Sequence, residues 1–331
     1  MRACNAQRGW RYKRARSIVI NSRLALIILF WLVAVSCTPD PSRYDTPDAP
    51  FTVPQPLGKV TDGRLSEVSG LVASRKNPHT LWVHNDSGNE TELYLIDTLG
   101  ELLTTYYLAE GVNFDWEDIA IGPGPEVGET YLYVGDIGDN VAMYDERYVY
   151  RFPEPVYSAT NPVDTITDYD RLGFFYREGS VNAETLLLDP LTQDIFVLSK
   201  ESDQIRVHQF HFPAEPPFRQ PAELMALLSF DGVNLLDRLV GGDISADGKE
   251  VLLKTYEHVL YWSRKDTSVS IPELLQLPAD TLPYWPEPQG EAIGFAADGS
   301  GYYTLSEENL GATIYLYFYP RSSRDSAQAI R

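Results

Sequence analysis

A short motif, one carboxylate just ahead of an apolar run, recurs along this chain, and its spacing limits the folds open to it. The fullest copy is Asp115-Trp116-Glu117-Asp118-Ile119-Ala120. Fainter copies are Ser66-Glu67-Val68-Ser69-Gly70 before it, and Ala183-Glu184-Thr185, Gly242-Asp243-Ile244 and Gly290-Glu291-Ala292 after it. From acid to acid the copies lie 50, 67, 59 and 48 residues apart. Repetition at periods of roughly 20–50 residues marks units that cannot bury an apolar face alone and must stack or close on one another.

Each copy opens a series of short strand-like runs with turn residues between them. Strand A carries the acid. Strand B is apolar and ends in polar residues, at 81–86, 132–136, 195–201, 251–255 and 302–307. Strand C is rich in aromatics, at 92–97, 148–152, 205–212, 258–262 and 313–319. Strand D is weaker, at 102–108, 171–177, 224–230 and 273–277. Pro190, Asp247-Gly248 and Asp298-Gly299 supply A-to-B turns. Residues 224–228 and 272–277 come nearest to a helical period, but both are too short to outweigh a strand.

The fifth unit has no strand D, and the first has a spare strand near 51–60. Pairing the two closes a ring and leaves only short edges. The expectation is therefore an all-β chain: a single β-propeller of five four-stranded blades closed by an N-terminal strand. Six blades are the alternative if the 67-residue interval conceals one, although no second acid motif stands there. A β-sandwich or a helical array is the alternative architecture.

In up-and-down blades the start of A and the end of B lie at one edge, so the repeated acids rim one mouth of a central channel. The B-to-C loops join them with Asn85, Asp86, Asp136, Asp139, Asn140, Lys200, Glu201, Lys254 and Glu307. Like charges gathered this closely raise one another's pKa. A hard cation, paired lysines or retained protons relieves them. The donors are oxygens, which suits Ca²⁺ with its 6–8 oxygen ligands. The assignment is Glu67, Glu117, Asp136, Glu184 and Glu291 to a divalent cation, with Asn85, Asp86, Trp116, Asp139, Asn140, Glu201 and Glu307 facing a ligand. The histidines lack metal-ligand spacing, which argues against zinc; His208, His211 and His258 fall on C strands as packing or surface residues. Two structural roles compete with this assignment. An acid at the start of A can accept backbone N–H groups and fix blade to blade, and Trp116 can pack between blades. Asp136 to Asn140 is also a plain Asx turn, and it is not an EF-hand loop, because position twelve from Asp136 is Arg147.

The first 36 residues differ from the rest. They hold seven basic residues and no acid, and an apolar run covers 24–35. A basic region, a short apolar stretch and small residues before a cut describe a secretory signal. The run is short of the ~20 residues that span a bilayer. Ala34-Val35-Ser36-Cys37 resembles the bacterial lipobox, which implies cleavage before Cys37 and lipid attachment to it. Thr38 is not the Asp that favours inner-membrane retention, so the outer membrane or cell surface is expected. Residues 37–50 read as a flexible tether, 51–320 as the propeller and 321–331 as a tail. Cys4 leaves with the signal, so the folded domain has neither disulfide nor thiol.

The whole chain carries 27 basic and 47 acidic residues, a net charge of −20. Removal of the signal makes the balance more acidic. Nucleic acid is repelled by such a surface, and cations are drawn to it. A monomer on the membrane through its anchor, taking a glycan, peptide or envelope protein as ligand, is expected.

From Glu67 onward the chain resembles a group of bacterial secreted and lipid-anchored β-propellers. The residues that carry this are Glu67-Val68-Ser69-Gly70, Trp82-Val83-His84-Asn85-Asp86-Ser87-Gly88, Asp115-Trp116-Glu117-Asp118-Ile119-Ala120, Gly135-Asp136-Ile137-Gly138-Asp139-Asn140, Asn182-Ala183-Glu184 and Gly290-Glu291-Ala292. The resemblance implies the propeller and brings no established activity. More distantly the chain is similar to esterase-like phytases and to gluconolactonase and regucalcin propellers, which hold a divalent cation at the pore mouth through acids and amides. That implies a metal-dependent hydrolase of esters, lactones or phosphoesters as the alternative to a binding module. In that reading Asp243 is the base and Lys200 or Lys254 steadies the developing anion. No Gly-x-Ser-x-Gly elbow, Walker loop or dinucleotide fingerprint is present.

Overall fold

Strands that are apolar along their whole length must be covered on both faces. The inner strands of this chain meet that requirement. The computed structural model describes residues 49–160, 163–201, 204–213, 218–230 and 237–322. The inner strands are β2 (Val68–Ala73), β6 (Trp116–Pro123), β11 (Ala183–Leu188), β15 (Leu239–Ile244) and β19 (Gly290–Phe295). Every residue of all five is buried except Pro123. β2 packs on β6, β6 on β11, β11 on β15, β15 on β19, and β19 on β2 again.

From each inner strand an antiparallel run proceeds outward. The first is β2, β3 (Thr80–Asn85), β4 (Glu92–Asp97) and β5 (Leu102–Leu108), with β9 (Val163–Ile166) added in parallel to β5. An eight-stranded sheet contains β6, β7 (Thr130–Asp136), β8 (Arg147–Pro153) and β10 (Asp170–Tyr176), then β14 (Arg219–Leu228), β13 (Ile205–His211), β12 (Asp194–Ser199) and β11. Its halves meet through the parallel pair β10–β14 at their outer strands. A four-stranded sheet joins β15, β16 (Glu250–Thr255), β17 (Val259–Ser263) and β18 (Asp280–Leu282). The last holds β19, β20 (Gly301–Ser306), β21 (Tyr315–Pro320) and β1 (Gln55–Lys59). The chain is all-β and of the propeller kind.

β1 pairs with β21, so strands from the two ends of the described chain share a sheet. Phe51 anchors this closure. It is buried edge-on against Tyr261 and Tyr302, and the Arg321 guanidinium lies 4.7 Å from its ring. Tyr302 and Tyr319 stack at 4.5 Å beside it.

One strand reading is corrected. Residues 273–277 are not an outer strand; α1 (Ile271–Leu275) stands there, and β18 follows it. Ser270 caps the helix by accepting from Glu273 N–H, and the Glu273 carboxylate accepts from Ser270 N–H. This capping box, with Pro272 in the first turn, stabilises a short helix that its apolar period alone does not. It is the single α-helix among the described residues. The signal, Cys37, nearly all of the tether and nearly all of the C-terminal tail lie outside them.

Candidate functional site

Each inner strand slips by one residue against its neighbour. On β6, Trp116 pairs with Asp136 and Asp118 with Gly135, so Glu117 is left over. The same slip skips Ser69 on β2, Glu184 on β11, Val240 on β15 and Glu291 on β19. A residue skipped in this way leaves the ladder and its side chain is re-aimed. The five positions are structurally equivalent, and three of them carry Glu. Glu67 stands two residues before its slip, and Asp243 three after.

Glu117, Glu184 and Glu291 are all buried and lie close enough to act on one another electrostatically. Asp86, from the β3–β4 loop, and Asp115, just ahead of β6, complete one half of the cluster. One oxygen each of Asp86, Asp115 and Glu117 lies within 4.8 Å of the other two. Burial, with Glu184 and Asp86 next, drives the Glu117 carboxyl well above its usual range. Glu117 receives no hydrogen bond and no ion pair from the described residues. Burial also raises Asp115, against help from the Ser87 hydroxyl and Asn140 N–H. It pushes Asp86 up to about 6. Gly138 makes room for the pair, because a Cβ there would meet Glu117 Oε1 at 2.3 Å and Asp115 Oδ2 at 2.4 Å.

The other half is neutralised from within. Lys200 Nζ pairs with Glu184 and lies 3.9 Å from Glu291. Tyr256 donates to Glu291 Oε1 at 2.7 Å and turns its ring toward the same ammonium, 5.3 Å away. Burial pushes Glu184 up to about 8 although Lys200 pulls the other way. Burial works against the Lys200 charge, but Glu184 and Glu291 outweigh it and raise the ammonium pKa. Glu307 joins from the β20 end, held by Gln289 Nε2 at 3.0 Å. Burial, then Glu291 and Asp86, takes it to about 8. Glu67 lies at the exposed rim, where Asn89 Nδ2 donates to it at 2.8 Å.

Several other sequence candidates stand elsewhere. Asp136 is buried beneath the site, and its Oδ1 accepts from Phe114 and Asp115 N–H at 3.2 and 2.8 Å. Asp139 is locked by Arg147, Ser180 and Met143 N–H. Asn140 is exposed and accepts from Asn182 at 3.2 Å. Asn85 donates to Arg64 O at 2.6 Å. Glu201 pairs with Arg206 at 2.7 Å. Trp116 is fully buried, donating to Val112 O at 2.9 Å and edge-on to His84, so it packs between units. Asp243 sits deeper. Its Oδ1 accepts from Ile244 N–H and its Oδ2 from Phe295 N–H on β19, both at 2.8 Å. Lys254 is fully buried and donates to Gly290 O and Thr255 O; burial pushes it down to about 8.

Asp115, Ser87, Tyr256 and Gly138 are contributors that sequence reasoning left out. Asp115 opens the fullest motif, and only its approach to within 4.8 Å of Glu117 distinguishes it from a turn residue. A concavity of about 630 Å³ lies at the other end of the strands, lined by Ser245, Lys249, Glu250, Arg264, Asp298 and Arg321 among others, away from the acids.

No protein-family model and no curated protein matches the sequence. Solved structures resemble its fold. The WD40 repeats of RRP9 align with 13% identity and a TM-score of 0.38, covering 77% of this chain and 67% of that one. Luciferin-regenerating enzyme aligns with 11% identity and a TM-score of 0.43, covering 82% of this chain and 96% of that one. At such scores neither bears on function.

Proposed function

We propose that the chain is a five-bladed propeller of the bacterial cell envelope, anchored by lipid on Cys37, at the outer membrane or surface. Its acidic mouth holds a divalent cation, Ca²⁺, and through it binds a glycan, peptide or envelope protein. Five inner strands, each packed on the next, support the blade count over six. The cation reading rests on one observation above all: Glu117 is buried beside Asp86 and Asp115 with no donor to satisfy it among the described residues. A carboxylate so placed needs a proton or a cation, since an isolated buried charge is costly. A negative chain charge of −20 draws a cation there. Asp86, Asp115 and Glu117 would be its ligands, and Ca²⁺ would fill its remaining positions from backbone oxygens and water.

The binding reading is preferred to hydrolysis because the proposed base and one proposed anion-steadying lysine are engaged in structural bonds: Asp243 to β19 and Lys254 to Gly290 O. Lys200 is at the mouth but already answers Glu184 and Glu291. The test is capture from glycan and envelope-peptide libraries in Ca²⁺ and in chelator, run alongside ester, lactone and phosphoester substrates. Ca²⁺-dependent capture lost in Glu117→Gln supports the reading. Turnover without capture rejects it in favour of the hydrolase.

A further inference from the structure

Asp237, Glu257 and His258 form a second group of ligating side chains that does not include the acids of the mouth. One donor atom of each lies within 4.8 Å of the other two. Asp237 precedes β15, and Glu257 and His258 lie in the turn from β16 to β17. Hydrogen bonds fix this turn: Thr255 N–H donates to His258 O at 2.8 Å, and His258 N–H donates to Thr255 Oγ1 at 2.9 Å. Asp237 is buried. Its Oδ1 accepts from Glu257 N–H at 2.8 Å, and its Oδ2 lies 2.5 Å from His258 Nδ1. Glu257 is different. It is exposed, and its carboxylate has no hydrogen bond or ion pair among the described residues. Asp237 is answered by His258 and, at longer range, by the Lys254 ammonium, whereas Glu257, carried to the same point by the turn, has no cation of its own among the described residues.

The geometry points to a transition-metal site, of the Zn²⁺ class, held by Asp237, Glu257 and His258. An imidazole with two carboxylates suits Zn²⁺, Co²⁺, Fe²⁺ or Mn²⁺, whereas Ca²⁺ takes oxygen alone. Three protein ligands leave a position open, as in zinc sites that present a water, while structural zinc sites close with four. The half-exposed His258 and exposed Glu257 leave that position toward solvent. Asp237 stands 20 residues upstream of Glu257, so local spacing does not reveal the group. The site shares no ligand with the mouth, so each can fail without the other.

The test uses the full chain, purified without a histidine tag and stripped with chelator, and Co²⁺ as a visible probe. One equivalent of Co²⁺ produces a ligand-field absorption band that Zn²⁺ displaces and excess Ca²⁺ does not. Glu257→Gln, an exposed change that leaves packing intact, weakens Co²⁺ binding by more than the roughly 10–100-fold cost of losing an outer-shell partner. His258→Gln abolishes the band, and Glu117→Gln leaves it unchanged. No band in the wild type, a band that survives both Glu257→Gln and His258→Gln, or displacement by Ca²⁺ overturns the assignment.

Discussion

Glu117 and Asp118 are adjacent acids with opposite effects on stability. The buried Asp118 accepts from Ile119 N–H at 2.9 Å through Oδ1 and from Leu186 N–H on β11 at 2.9 Å through Oδ2. It ties one inner strand to the next. Asp118→Ala leaves two buried N–H groups without acceptors, at about 1–3 kcal/mol each, or roughly 2–6 kcal/mol in all. Burial already drives the Asp118 carboxyl well above its usual range, and relief of that strain returns part of the loss. The net cost is about 2–4 kcal/mol. At roughly 2–4 °C per kcal/mol for a domain of this size, Tm falls by about 4–16 °C. Glu117 has no such bond to lose. Glu117→Gln removes a carboxyl that burial, Glu184 and Asp86 force to take up a proton on folding when no cation is bound, so Tm of the cation-free protein rises. Calorimetric melts of both variants at pH 7 in chelator decide the matter. An unchanged Tm in Asp118→Ala, or a fall in Glu117→Gln matching it, refutes the division of roles.

Other outcomes follow from the same geometry. Asp86, Glu184 and Glu307 are raised to about 6, 8 and 8, so the folded state holds their protons more tightly than the unfolded state. Their contribution is intact below about pH 4 and is lost as pH rises to 8. Urea melts of chelated protein should therefore give lower stability at pH 8.5 than at pH 5, with Ca²⁺ closing the gap. Lys200→Met strips the ammonium from Glu184 and Glu291; it should destabilise the protein more at pH 8.5 than at pH 5 in the same melts. Gly138→Ala places a Cβ 2.3–2.4 Å from Glu117 and Asp115 oxygens; it should cost about 1–3 kcal/mol and weaken Ca²⁺ binding in a fluorescent-chelator competition.

Much of the strand plan is readable in the sequence because apolar runs and Asp-Gly turns are local signals. Phe51 and β1 were legible as a spare strand, and their partner as a missing one. The helix at 271–275 was legible too, through Ser270 and Glu273, but a search for apolar period alone passes over a capping box. The site was legible only in part. Glu117, Glu184 and Glu291 share both a motif and a strand slip. Glu67 and Asp243 share only the motif, and spacing cannot see a slip of one residue, which decides whether a side chain meets the site or a neighbouring strand's N–H. Asp243 accordingly serves the blade-fixing role that the sequence offered as its alternative. Lys254 falls inside the strand read at 251–255, but a lysine near a strand end reads as a rim residue, and only the contact with Gly290 O, 36 residues away, shows that it is fully buried.

Calcium titration calorimetry of chelator-stripped protein, wild type beside Glu117→Gln, measures the acidic mouth most directly. Saturable binding of Ca²⁺ in the wild type, with a matching rise in Tm and its loss in Glu117→Gln, is the predicted result. No heat and no change in Tm in the wild type, or equal binding by the two proteins, contradicts a cation site at Asp86, Asp115 and Glu117.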